Sequence, residues 1–139
     1  MLLAHPRERM FDLVARVEDY PQFLPWCGGA SAVTRPDGSV LAAVTIAFKG
    51  LRQTFSTINR HRGHDAIDME LAEGPFRSLQ GRWTFVALRE DACRVEFSLD
   101  YQFGPGLLGK VLAPVFDHIA GSMVEAFVRR AEQAPSNHG

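Results

Sequence analysis

The chain has 139 residues, of which 46% are apolar and 22% charged, and a net charge of −1. Those totals describe one ordinary globular domain, long enough to bury a real core, and they exclude a protein that holds nucleic acid by bulk positive charge. Thirteen of the fifteen basic residues are Arg, which leaves a local arginine surface for an anionic partner open.

The elements follow in chain order. Residues 6–17 are predicted to form a helix, with Pro6 in the first turn and Met10, Phe11, Leu13, Val14 and Val17 as its apolar stripe. Residues 18–26 read as a short second helix or a turn, opened by Pro21 and ended by Pro25. A strand over 28–33 leads into a turn at 35–39, and residues 40–48 alternate with Val40, Ala42, Val44, Ile46 and Phe48 on one face. Residues 51–59 place Leu51, Gln53, Phe55, Thr57 and Asn59 on one side. A polar turn over 60–65 is followed by a half-buried strand in which Ile67, Met69 and Leu71 alternate with Asp68 and Glu70.

Gly74-Pro75 breaks the chain, and a strand is expected over 82–88, with Trp83 and Phe85 on one face. The strictest alternation is Cys93, Val95, Phe97, Leu99, Tyr101 and Phe103 against polar neighbours, the mark of an antiparallel strand with one face on a core. After Gly104-Pro105-Gly106, apolar residues from Leu107 to Phe127 recur at helical spacing, with a kink or a new segment expected at Pro114. The fold class is therefore α+β: about six antiparallel strands and one long C-terminal helix in a single domain over 1–134, with a disordered tail over 135–139. A curved sheet around one helix leaves a gap, a natural ligand cavity of about 300–1,000 Å³.

The run Tyr20-Pro21-Gln22-Phe23-Leu24-Pro25-Trp26-Cys27 carries the most information. It is open to two compatible readings, an aromatic plug that closes one end of the sheet or a lid over the cavity mouth. Together with Met10-Phe11-Asp12-Leu13-Val14, Gly74-Pro75-Phe76 with Leu79 and Trp83, Arg94-Val95-Glu96-Phe97, and the helix residues Val115, Phe116, Met123, Val124, Ala126 and Phe127, it resembles one family over nearly the whole chain. This is the START-like (SRPBCC, polyketide cyclase/dehydrase-like) family, in the group of coenzyme-Q-binding START proteins and RatA-type ribosome association toxins. The resemblance implies a helix-grip fold of six to seven strands. That fold normally opens with a strand, and only residues 1–4 precede the first helix here.

The resemblance further implies non-catalytic binding of a ubiquinone-type polyisoprenoid or related lipid, in support of respiratory quinone function. The expected cavity lining is Phe48, Phe55, Trp83, Phe85, Phe97, Phe103, Val111, Val115 and Ile119. Tyr20, Phe23, Leu24 and Trp26 would stand at the mouth, and Phe76 on a second rim, where Arg77 and Arg82 flank Phe76 and Trp83. The alternative is a toxin that binds the large ribosomal subunit and blocks subunit association. Its expected surface is an outer stripe of Arg52, Arg60, Arg82 and Arg94, interspersed with Asp68, Glu70, Glu96 and Asp100. Arg52, Arg82 and Arg94 are the candidates for an anionic partner, which includes transient contact with a membrane surface. A polyketide cyclase or aromatase ranks last, because the sequence offers no clear acid/base pair.

The other candidate chemistries are weak. Cys27 and Cys93 form no CxxC and are expected as two reduced, buried thiols with no activating neighbour. His61 and His64 lie among Arg60, Arg62 and Asp65, which suits a solvated hairpin tip better than a metal. Asp117 and His118 read as a polar helix face. Neither a metal nor a cofactor is expected. No apolar run was expected to approach the roughly 20 residues that span a bilayer, and the N-terminus is too short in apolar residues for a signal peptide, so a cytoplasmic location is the expectation.

Overall fold

The computed structural model describes residues 1–133. Residue 134 and the tail expected at 135–139 lie outside the described residues. The elements run β1 (Leu2–Leu3), α1 (Arg7–Ala15), a 3-10 helix (Val17–Gln22), β2 (Cys27–Thr34), β3 (Val40–Phe48), β4 (Leu51–Arg62), β5 (Ala66–Glu73), β6 (Phe76–Arg89), β7 (Ala92–Phe103) and α2 (Leu107–Gln133). All seven strands join one antiparallel sheet in the order β1-β7-β6-β5-β4-β3-β2. Strands β2 to β7 are a simple meander, and β1 adds beside β7. α2 lies across the inner face against β7, and α1 packs on α2, β6 and β7. This is the helix-grip, START-like architecture.

Alternation decides the inner face. In β7, Cys93 and Val95 are buried and Phe97 to Phe103 line the concave side, while Arg94, Glu96, Ser98 and Asp100 face water. Two core clusters result. One gathers Met10, Phe11, Val14, Tyr20, Trp83, Phe85, Val95 and Phe127. The other gathers Ile46, Phe76, Leu79, Phe116 and Ile119, with Phe55, Tyr101 and Phe103 packed against it. In the second, Phe76 stacks on Phe103 at 4.7 Å and Phe116 meets Tyr101 edge-on at 4.7 Å, which fixes the middle of α2 to the sheet.

Several expectations change. The strand expected at 82–88 extends over Phe76–Arg89, so Phe76 lies in a strand rather than in a loop. Gly81 does not break it. It sits opposite Met69 and Leu99, and the Leu99 Cδ1 already lies 2.9 Å from where a Gly81 Cβ would stand. A register shift between Phe76 and Ser78 turns Phe76 inward with Leu79. α2 runs as one helix through Pro114, and no second segment starts there. Pro21 lies inside the 3-10 helix rather than opening it.

α2 is also long and apolar enough to cross a membrane by length and composition, contrary to the expectation that no run comes close. Only 28% of its most apolar window is buried. Its apolar character is divided between an inner stripe, Leu112, Phe116, Ile119, Phe127 and Ala131, and an outer surface.

Gly74 supplies a test of how closely the sheet is packed. Its φ is +153°, and an added Cβ would lie 2.6 Å from the Cβ of Phe55. Gly74→Ala is expected to cost about 1–3 kcal/mol in a denaturant melt, through overpacking and backbone strain. Gly104→Ala, with nothing within 4 Å, should leave the midpoint nearly unchanged.

Candidate functional site

A cavity of about 60 Å³ lies between the sheet and α2. It occupies the seam between the two core clusters, with Val14, Val17, Tyr20 and Trp83 on one side and Leu79, Phe116 and Ile119 on the other. Its volume is far below the expected range. Outside it lies a second, apolar cleft of about 350 Å³, lined by Pro25, Trp26, Phe48, Pro114, Val115, His118 and Ile119. Trp26 and Ile119 line both spaces, so these two side chains form the wall between them.

Of the residues expected to form the site, Tyr20, Trp26, Phe55, Trp83, Phe97 and Ile119 line the inner cavity. Phe48 and Val115 line the outer cleft instead. Leu24, Phe76 and Phe85 are buried in the core away from both spaces, and Phe103 serves as the stacking partner of Phe76. Phe23 packs on Phe127 at 5.2 Å and under the Arg130 guanidinium at 5.0 Å. Val111 is a correction: it is 45% exposed, because it lies one position off the buried stripe of Leu112, Phe116 and Ile119.

The Tyr20–Cys27 run combines plug and wall. The Tyr20 hydroxyl donates to the Val14 carbonyl at 2.5 Å, and burial holds its phenol far above the usual range. Leu24 N–H donates to the Tyr20 carbonyl at 2.9 Å, and Ala47 N–H to the Trp26 carbonyl at 2.7 Å. The backbone of the turn is thus tied at both ends. The Trp26 side chain is half-buried and reaches both spaces.

Sequence reasoning missed the polar corner of the cavity. Thr57 and Asn59 are both buried, side by side on the inner face of β4, and both line the space. The Thr57 hydroxyl donates to Asn59 Oδ1 at 2.7 Å. Every fully buried side-chain nitrogen or oxygen among the described residues has a partner. The Asn59 amide nitrogen donates to no described residue, and Asn59 lines the cavity. The signal was in the alternation, where Thr57 and Asn59 share a side with Phe55: two polar residues on the core side of a strand.

The outer face is a lattice of ion pairs. Arg82 donates to both oxygens of Asp68, at 2.5 and 3.0 Å, and Arg62 also bonds Asp68. Arg60 meets Glu70 at 3.1 Å, and Arg94 lies 3.9 Å from Glu96. The Arg82 hydrogen bond holds the Asp68 carboxyl below its ordinary value. Arg82 therefore turns away from Trp83 rather than flanking it; the observed cation–ring contacts are Lys49 over Phe48 and Arg130 over Phe23. Among the three candidate arginines, Arg52 makes no ion pair with a described residue.

The remaining candidates are structural. Both cysteines are free and buried, and burial pushes both thiols up, away from the nucleophilic thiolate. His61 and His64 each meet the Phe11 ring edge-on, at 5.2 and 5.0 Å, so this hairpin end packs on α1 as well as facing water. Among the described residues no group of three His, Cys, Asp or Glu side chains could hold a metal. Asp117 accepts from the Tyr101 hydroxyl and ties α2 to β7.

A curved sheet closed over one helix, with an apolar space and one polar corner between them, defines a helix-grip fold. The chain belongs to the polyketide cyclase/dehydrase and lipid transport family, whose model matches residues 3–128. It is 40% identical to the persistence and stress-resistance toxin PasT of Escherichia coli CFT073, over 97% of this chain and 85% of that protein. It is 39% identical to the ribosome association toxin RatA of Escherichia coli K12, with the same coverage. A coenzyme Q-binding protein COQ10 homolog B from Xenopus laevis is 26% identical, over 89% of this chain and 52% of that one. Among solved structures, the 18 kDa protein CC1736 of Caulobacter crescentus is 36% identical with a TM-score of 0.71, covering 96% and 93% of the two chains. A Streptomyces aromatase/cyclase, Zhui, shares the fold at a TM-score of 0.81 and 14% identity, covering 96% and 90%.

The Thr57–Asn59 pair makes a stability prediction. Thr57→Val should cost about 1–3 kcal/mol, because it leaves the Asn59 carbonyl oxygen buried without a donor. The double replacement Thr57→Val with Asn59→Leu should cost less than the single one, which a double-mutant cycle in denaturant would measure.

Proposed function

We propose that the protein is a non-catalytic binder of a hydrophobic ligand with one oxygen-bearing head, of the polyisoprenoid quinone or related lipid class. The observation that carries this reading is the inner cavity with its polar corner at Thr57 and Asn59, separated only by Trp26 and Ile119 from an apolar cleft. The Asn59 amide suits a carbonyl or hydroxyl oxygen, and the cleft suits an isoprenoid tail. A single aromatic ring fills a cavity of roughly 150 Å³. A head group therefore enters only if the Trp26 and Ile119 side chains move apart and merge the two spaces. The cavity offers hydrogen bonds from Thr57 and Asn59 rather than groups that exchange protons near neutral pH, which supports binding without catalysis. The resemblance to a coenzyme Q-binding protein supports the quinone class.

A second reading is association with the large ribosomal subunit. The relatives named as ribosome association toxins favour it, at 39% identity over 97% of this chain. Arg82 and Arg94 have acidic neighbours, so this reading places more weight on Arg52 than on the full stripe. The two readings use different surfaces and are compatible. A cytoplasmic location is proposed with both.

Trp26 and Trp83, the only two tryptophans of the chain, both line the cavity, so intrinsic fluorescence reports on its contents. A short-chain ubiquinone analogue is expected to quench it, with a one-to-one complex in native mass spectrometry. Ala120→Phe, which fills the space, should abolish the quench, and Asn59→Leu should weaken binding about tenfold. A wild-type protein that takes up no analogue would sink the ligand reading. For the second reading, co-sedimentation with large ribosomal subunits should fall steeply with salt and fall further with Arg52→Glu than with Arg82→Glu. Sedimentation insensitive to both would remove it.

A further inference from the structure

We propose that the end of the molecule around the outer cleft is a docking surface for an anionic phospholipid membrane. Two tips project there. One is the β3–β4 hairpin, where Phe48 is 38% exposed beside the Lys49-Gly50 turn. The other is the start of α2, where Leu107, Leu108 and Val111 are 75%, 42% and 45% exposed. The cleft joins them, because Phe48 lines it together with Pro114 and Val115. On α2, Leu107, Val111, Pro114 and Val115 follow one another at helical spacing, so the exposed stripe runs from the helix start into the cleft. Single exposed apolar residues need no explanation; a run of them on two projecting tips around an apolar cleft does.

The charge pattern selects the partner. The chain contains only two lysines, and both stand here: Lys49 on the hairpin tip and Lys110 within the first turns of α2. No Asp or Glu occurs from residue 38 to residue 64, nor from residue 101 to residue 116. The first turn of α2 carries no acidic residue, so the positive end of the helix dipole is uncompensated at the same tip. Elsewhere on the sheet surface arginines stand in ion pairs with carboxylates, as in Arg60–Glu70 and Arg82–Asp68. Apolar side chains that project between long, flexible cations are what an interfacial lipid contact requires: the apolar groups enter the acyl boundary while the lysine stems reach up to phosphate. A flat protein interface would instead favour a continuous face of fixed side chains. The inner stripe of α2 is held by the sheet, so the helix docks on the bilayer rather than crossing it.

Docking stands on this surface alone and goes beyond the ligand reading. Where that reading also holds, docking lets an apolar ligand pass between bilayer and cleft without crossing water.

The test is flotation of the full chain with vesicles of phosphatidylcholine, alone and mixed in equal parts with phosphatidylglycerol. Wild type is expected to float with the anionic vesicles and much less with neutral ones, and added salt should release it. Lys49→Glu with Lys110→Glu should lower binding at least about tenfold. Leu107→Asp with Leu108→Asp should abolish it, while Arg94→Glu on the outer sheet face should change little. These residues are exposed, and thermal melts confirm that the variants fold. Uptake of the soluble quinone analogue should survive in the Leu107/Leu108 variant, which separates loss of docking from loss of ligand binding. Three results would overturn the proposal: no flotation of wild type; a dimer seen by light scattering that the Leu107/Leu108 variant dissolves, which would assign the patch to a second copy; or vesicle-silent protein whose sedimentation with ribosomal subunits is lost in these same variants.

Discussion

A seven-stranded sheet is wider than one helix can cover, and the rest of the structure follows from that mismatch. Strands about 4.8 Å apart make an inner face roughly 30 Å across, whereas a helix with its side chains is about 10–12 Å wide. The sheet curls toward α2, and α1 with the 3-10 helix covers the part that α2 leaves bare. Two core clusters form where the helices touch the sheet. Between them only partly buried side chains, Trp26 and Met123, touch both clusters, and the cavity is that seam.

The seam is asymmetric. Its deeper end meets α1 and the Thr57–Asn59 pair, and its other end meets Trp26 and Ile119. The polar pair thus stands at one end of the seam and the apolar cleft beyond the other. The backbone at Trp26 is tied to Ala47, which fixes the loop where the wall stands. Arg130, which bonds Gln22 at 2.9 Å and covers Phe23, ties the preceding turn to the far half of α2. The plug and the Trp26 half of the wall are adjacent parts of one eight-residue run, and α2 supplies the other half, Ile119.

The two outer regions differ in kind. Across the strands, opposite charges face each other in register, as Arg60 does Asp68 and Asp68 does Arg82, which makes the sheet surface soluble and locally neutral. At the cleft end, the β3–β4 hairpin and the first turns of α2 carry no acidic residue and apolar ones protrude. A chain with a net charge of −1 thus carries a cationic, apolar end that its overall composition conceals.

Much of the fold was legible in the chain, because period-2 and helical patterns record which side of each element is wet. Val40–Phe48 and the alternation of β7 could be read directly, as could the stripe on α1. The sequence pattern places the start of β6 too late, at 82 rather than at Phe76, because a glycine such as Gly81, packed closely against Leu99, weakens a strand pattern without ending the strand. Val111 misled because Leu107, Leu108, Val111 and Leu112 spread over more than one side of the first turns of α2, so periodicity does not say which side meets the sheet. The sequence by itself determined the order of the elements, the face each strand buries and the aromatic supply of the interior, since these depend on local spacing. Only the tertiary structure decided that Thr57 and Asn59 meet in the cavity, that Trp26 and Ile119 divide it from the cleft, and that Asp68 neutralises Arg82. Those relations depend on how the sheet curls around α2, which brings together residues far apart in the chain.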